Sequence, residues 1–321
     1  MHTLPFEKKA QVAAALVDGV SIRAAERLLD VHRDTIMRLG VTVGEACARL
    51  HDARVRDVRA TLIQADELWT FVQKKQRRLR QDDPREYGDQ YVFLAMDAVS
   101  KLILSYRVGK RTGDNADAFA QDLRLRVLGR PQISTDAWNG YPEAISRHFG
   151  ADVDFGTVDK DYTVPQAQQA ALRYSPGKIS RVTKTAVLGD PAWGEISTSY
   201  SERLNLSVRV SLKRFARLTI SHSKRLRNLE AAVGLFVAHF NFCRVHETLR
   251  CTPAMEAGLT DHVWSIAELL HAAFEAPEPT APAPIPAGST AAQAKGERRG
   301  SFRGPRGPRP NHLRVIKGGL S

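Results

Sequence analysis

From Leu4 to about Ala60 the apolar positions recur at helical spacing. Phe6, Val12, Ala15 and Leu16 line one face, and Gly19 stops that first helix. Ser21 is placed to cap a second helix, whose Ala24 and Ala25, beside Leu28 and Leu29, are small enough to let a neighbouring helix approach closely. A turn at Asp30-Val31-His32 leads to a third helix, from Arg33 to Leu39 or beyond. Helix, tight turn and helix is the order of a helix-turn-helix, in which the second helix enters the major groove; Arg33, Asp34, Thr35 and Arg38 would then face DNA. A small bundle used for packing or dimerisation has the same pattern, and both readings stay open.

At Thr61 the texture changes. Thr61 to Val72, Tyr91 to Met96 and Leu102 to Val108 are β-prone apolar runs, the last two joined by a tight turn at Asp97 to Lys101, and together they predict an antiparallel meander. Asp114 to Leu128 is helical through Ala118, Phe119, Leu123 and Val127, and Gly129-Arg130-Pro131 ends it. Gln132 to Thr135 is a fourth strand closing on Asp136, followed by an Asn139-Gly140 turn, a helix from Pro142 to Phe149 and a fifth strand from Val153 to Val158. Strand, strand, strand, helix, strand, helix, strand describes an α/β fold: a mixed five-stranded sheet with flanking helices, in RNase H-like order. From Asp159 to Ser199 the pattern is lost among Pro165, Pro176, Gly177, Gly189, Pro191 and Gly194, which predicts an inserted loop carrying Lys178, Arg181 and Lys184 towards DNA or merely over the surface. Regular structure resumes in a helix from Glu202 to about Leu218 and another from Lys224 or Arg225 to Phe242.

The expected organisation is therefore a helix-turn-helix domain at residues 1–60, a catalytic α/β domain at 61–272 with the insertion at 159–199, and a tail at 273–321. The tail, with Pro277, Pro279, Pro282, Pro284 and Pro286 before Arg298, Arg299, Arg303, Arg306 and Arg309, cannot bury a core and reads as disordered and basic. Composition adds a partner. The 321 residues carry a net charge of +12, which favours a polyanion such as nucleic acid over a membrane surface. Cys47, Cys243 and Cys251 form no C-x-x-C pair, so neither a disulfide framework nor a zinc module is expected. No apolar run reaches the ~20 residues of a membrane helix, and the N-terminus has no signal-peptide segment; the expectation is a cytoplasmic protein.

Three acidic landmarks carry the candidate chemistry: Asp66-Glu67 at the first strand, Asp136 at the end of the fourth, and Glu202 opening a helix. Carboxylates from separated segments can hold divalent ions against a phosphate. Alternating strand faces mean that Asp66 and Glu67 cannot both address one ion pair from a regular strand, and parity alone does not choose between them. Asp136 sits where ligands collect in an open α/β sheet, at a strand's carboxyl end. Asp97 ranks lower, as a turn former. On the helix, Leu204, Val208 and Leu212 make the apolar stripe, whereas Asn205, Arg209 and Lys213 fall near the line of Glu202.

Taken in order, Asp66-Glu67-x-Trp69, Thr135-Asp136-Ala137-Trp138 and Glu202-Arg203-x-Asn205-Leu206-x-x-Arg209 resemble the motifs of the insertion-sequence-one family of DDE transposases. The resemblance extends through Arg217-Leu218-Thr219 to Ser223-Lys224 and through Asn241-Phe242-Cys243-Arg244-x-His246-x-Thr248-Leu249-Arg250-x-Thr252-Pro253-Ala254-Met255, covering about residues 5 to 270. It implies an RNase H-like core with Asp66, Asp136 and Glu202 as acidic, metal-binding triad and Arg209 as a catalytic basic residue seven positions after the glutamate. It also implies Mg²⁺ as cofactor, with Mn²⁺ able to substitute. The expected partners are double-stranded DNA, both element ends and target, and further copies of the chain on that DNA, in a bacterial cell and at the nucleoid when bound. Asn205, Lys213, Arg214, Arg217 and Lys224 would hold phosphates. The expected reaction cuts the element ends and joins the freed 3′-hydroxyls to target DNA; a nuclease that does not join, or a DNA-binding regulator that does not cut, are the alternatives.

Overall fold

The computed structural model describes residues 4–163, 178–216 and 219–278. The tail from residue 279, the Pro165, Pro176 and Gly177 breaks, and Arg217 and Leu218 lie outside the described residues. The N-terminal helices are α1 (Phe6–Val17), α2 (Ile22–Leu29) and α3 (Arg33–Arg54). Gly19 follows α1 at φ 76°, Ser21 caps α2 by accepting from the Ala24 N–H at 3.2 Å, and Asp30 turns the chain at φ 50°. The third helix is much longer than its exposed first turn indicated. Its C-terminal half buries Val43, Ala46, Cys47 and Leu50 against the same core as the sheet. There α3 meets α7 (Leu226–Phe242) at reciprocal glycines: a Cβ on Gly44 would lie 2.0 Å from the Ala231 carbonyl oxygen, and one on Gly234 2.7 Å from that of Gly44. Only bare backbone fits.

The sheet runs β3 (Ile103–Gly109), β2 (Gly88–Asp97), β1 (Leu62–Val72), β4 (Gln132–Asp136), β5 (Asp154–Thr163), β6 (Lys178–Leu188). Pairs β3–β2 and β2–β1 are antiparallel, as the meander requires, and β1, β4 and β5 are mutually parallel. The mixed α/β sheet with flanking helices is as expected, with one strand more. That strand corrects the reading of residues 159–199 as a loop, since β5 runs on to Thr163 and β6 returns beside it antiparallel. Most of β6 is exposed on both faces, so it shows no apolar alternation; only its β-branched Val182, Thr183, Thr185 and Val187 signalled a strand.

Odd positions of β1 and β2, with α4 (Gly113–Arg124) and α5 (Gly140–Phe149), form the larger core; Ile63, Ala65, Phe93, Phe119 and Tyr141 are buried there. Even positions pack Leu68, Val92 and Leu94 against α6 (Ser199–Ser211) and α7. The Leu204, Val208 and Leu212 stripe is 2–3% exposed, as its spacing predicts. The helix itself ends at Ser211, however, and a 3-10 turn follows at Lys213–Phe215. Lys213 therefore leaves the line of Glu202 that a continuous helix would have given it. Two short helices, α8 (Pro253–Glu256) and α9 (Ile266–Glu275), complete this unit.

Candidate active site

β1 and β4 pair only from Leu62↔Gln132 to Gln64↔Ser134. Two residues further along each strand stand Asp66 and Asp136, on the same face of a parallel pair and at the carboxyl end of β4. Among the described residues β1 keeps only β2 as strand neighbour beyond Gln64, so its other side is there an open edge. Each acid is tied down. Asp66 Oδ1 accepts from the Glu67 N–H at 2.8 Å and Oδ2 from Asn205 Nδ2 at 2.7 Å. Asp136 Oδ1 accepts from the Trp138 N–H at 3.1 Å, within the turn into α5. Glu202 Oε1 accepts from Thr198 Oγ1 at 2.8 Å and pairs with Lys160 of β5.

Among the described residues, carboxylate oxygens of Asp66, Glu67 and Asp136 lie within 4.8 Å of one another. Glu67 thus joins Asp66 despite pointing to the opposite face. Parity fixes the direction of Cβ only; here the strand edge is open, and the longer glutamate side chain reaches the gap beside Asp136. Its side chain is 2% exposed, and Arg111 Nη2 bridges Glu67 Oε2 at 3.0 Å and Asp136 Oδ2 at 3.1 Å. Glu67 Oε1 and the hydroxyl of buried Tyr141 influence each other electrostatically, yet neither completes a hydrogen bond of normal geometry. Glu202 stands outside this three-acid group but close enough for its charge to act on Asp66.

Like charges confined in partly dry surroundings resist ionisation. Burial, reinforced by the charges of Asp136 and Glu202 and opposed by the Glu67 N–H, pushes Asp66 up to about 7. Burial and the charge of Asp136 likewise push Glu67 up to about 7, against the pull of Arg111. An all-oxygen donor set of carboxylates suits a hard divalent cation.

No protein-family model and no curated protein matches the chain. Solved structures with a similar trace include the piggyBac transposase synaptic complex with hairpin DNA, at TM-score 0.38 and 10% identity over 84% of this chain and 69% of that one. The Mos1 strand transfer complex aligns at TM-score 0.21 and 11% identity, over 73% and 76% of the two chains. The Mos1 transposase paired-end complex with left transposon end aligns at 0.19 and 12%, over 74% and 78%. The residue roles rest on the geometry, not on these likenesses.

Other residues singled out in the sequence are dispersed. Arg33, Asp34 and Arg38 are exposed on the first turns of α3 with Thr35 half-buried between them, and the Arg33 N–H donates to Glu26 Oε1 at 3.0 Å. Asn205 is engaged by Asp66 and so orients an acid, where it was expected at phosphate. Arg209 donates to the Phe215 carbonyl at 3.5 Å. Lys213 is exposed, Arg214 is half-buried with Nη1 on Ser223 Oγ at 3.2 Å, and the Nζ of exposed Lys224 lies 2.5 Å from His222 Nε2, the nitrogen that also faces the Gln73 carbonyl. Asp97 turns the β2–β3 hairpin by accepting from the N–H and hydroxyl of Ser100 at 2.7 and 2.6 Å.

Three contributors escaped sequence reading: Arg111, Lys160 and Gln64. The first two are cations that meet acids 25 to 44 residues away, a distance with no periodic signal. Gln64 is buried on β1, two residues before Asp66, and its Oε1 accepts from the N–H groups of Tyr200 at 2.8 Å and Ser201 at 3.3 Å. Thr198 gives α6 no side-chain cap, so β1 itself caps the helix that carries Glu202 and Asn205. The only available signal was a polar residue in an apolar strand.

Proposed function

We propose that this chain is a DDE transposase: it binds the ends of a mobile DNA element, cleaves them and joins the freed 3′-hydroxyls to target DNA. The observation that carries this is the meeting of Asp66 and Asp136 across adjacent parallel strands, with Asn205 of α6 bonded to Asp66 and Glu202 of the same helix near enough for its charge to act there. The ordered motifs and the +12 charge support the same reading.

Asp66, Asp136 and Glu202 would hold Mg²⁺, with Glu67 beside them, and Mn²⁺ in its place when supplied. Such ions supply activation of the attacking oxygen and stabilisation of the leaving one. The chain's own groups prepare the place. Asn205 and the Glu67 and Trp138 N–H groups fix the directions of the Asp66 and Asp136 carboxylates. Arg111 and Lys160 offset the like charges of Glu67, Asp136 and Glu202. Arg209, Lys213, Arg214 and Lys224 would lead the phosphate backbone towards the acids, and Arg33 and Arg38 would meet the element end, with two copies of the chain holding two ends.

Purified chain, supercoiled plasmid and the DNA flanking its own coding region, with Mg²⁺ added, test the reading. Joined products are expected; nicks without joining would favour a nuclease, and a mobility shift without cleavage a regulator. Asp136→Ala should lower cleavage and joining by about a thousand-fold or more while DNA binding stays within a few-fold. Joining at the parental rate by that variant overturns the assignment.

A further inference from the structure

The odd face of β1 changes character at Glu67. Ile63 and Ala65 are buried in the larger core, whereas Trp69 and Phe71, next on the same face, are half-buried and belong to none of the hydrophobic clusters among the described residues. Two large rings have been kept at the surface. They are ordered nonetheless: the Trp69 and Phe71 centroids lie 5.8 Å apart at 37°, and His222 lies 4.4 Å from Phe71 at 31°. Nε2 of His222 is held by the Gln73 carbonyl at 3.1 Å. Burial and the charge of Lys224 hold its imidazole below the usual range.

Cations frame this row. Lys75 Nζ lies 5.7 Å from the Trp69 centroid and 5.9 Å from that of Phe71. At the other end the Arg111 guanidinium lies 4.7 Å from the Trp138 centroid and 5.8 Å from that of Tyr91, the cross-strand partner of Trp69. Same-face residues of a strand step by about 7 Å, so the first ring stands one step from Glu67 and the second two.

We propose that Trp69, Phe71 and His222, with Lys75, form a ledge on which unpaired bases of a DNA strand stack beside the acid cluster. This rests on the DNA-processing reading and adds the form of DNA taken: a strand whose bases are out of their pairs next to the cleaved phosphate. Aromatic planes accept any base, and a cation poised over them meets the phosphates between bases. Duplex DNA hides its base faces within the stack and gains little from such rings. An aliphatic protein segment would have no use for the lysine and arginine that flank these rings.

The test compares full-length parent with a Trp69→Ala/Phe71→Ala double variant, in chelator, on a short mixed-sequence single strand, the matching blunt duplex and the same duplex with a single-stranded overhang. Fluorescence anisotropy should show a loss of about ten-fold or more per ring on the single strand and overhang, and less than about three-fold on the blunt duplex. Trp69→Phe, which keeps an aromatic face and guards against misfolding, should restore most of the single-strand affinity. Equal losses on all three DNAs, no loss on any, or failure of Trp69→Phe to restore binding overturns the ledge and leaves the DNA reaction standing. A parent chain that binds none of the three overturns both.

Discussion

The two halves of β1 teach different lessons although they are one strand. At Ile63 and Gln64 it is paired on both sides and the side chains are buried, 1% and 4% exposed. From Asp66 to Phe71 it has lost β4, and there the acids and the surface aromatics appear. A second neighbour leaves room only for packing. Its loss opens an edge around which side chains from both faces can gather, at the expense of burying carboxylates that lack full solvation.

The sharpest way to break this comparison is Asp66→Asn. If the second half serves chemistry, the change should lower activity by about a thousand-fold while leaving the fold as stable or more so. A carboxyl whose folded pKa is raised contributes stability that is full below about pH 4 and is lost as the pH climbs through about 7. Urea unfolding without divalent ions should therefore show the parent weakening from about pH 4 to pH 7, and Asp66→Asn weakening less. A variant that is inactive because it is unfolded would sink the distinction.

Ile63→Ala probes the first half in the opposite sense. It should cost about 3 kcal/mol in unfolding free energy, because a cavity opens in a closed core, against about 1 kcal/mol for Phe71→Ala on the open side. Equal values would erase the contrast. Gln64→Leu gives a smaller effect than Ile63→Ala but a more diagnostic one. Removing the acceptor from two N–H groups at the start of α6 should cost about 1–2 kcal/mol and weaken divalent-ion binding by calorimetry, since Glu202 and Asn205 lose their register over Asp66. Unchanged ion binding at reduced stability would make Gln64 a structural cap alone.

Much of this was legible. The meander, the parallel return and the strand end at Asp136 follow from apolar runs and turn residues, which act locally. The stripe on α6 was readable for the same reason. Its end at Ser211 was not, because Lys213 and Arg214 are ordinary helix residues and the break is imposed by Phe215 entering the core. The strand β6 was hidden because an edge exposed on both faces need not alternate. Strand alternation allowed only one of Asp66 and Glu67 and did not choose, and the resemblance chose Asp66; both carboxylates nevertheless reach Asp136 because alternation fixes Cβ and not the end of a longer side chain. Arg111 and Gln64 act through space on residues far along the chain, which no spacing encodes.

The glycine contact between α3 and α7 has a consequence for scale. Twenty-two residues of unbroken helix make a rod of about 33 Å, clamped near its middle where neither backbone can yield. Its exposed tip at Arg33 and Arg38 therefore cannot swing independently of the sheet. Under the proposed reading, the rod is a ruler: the stretch of element end between the recognised bases and the cut is measured by helix length, not by a flexible linker.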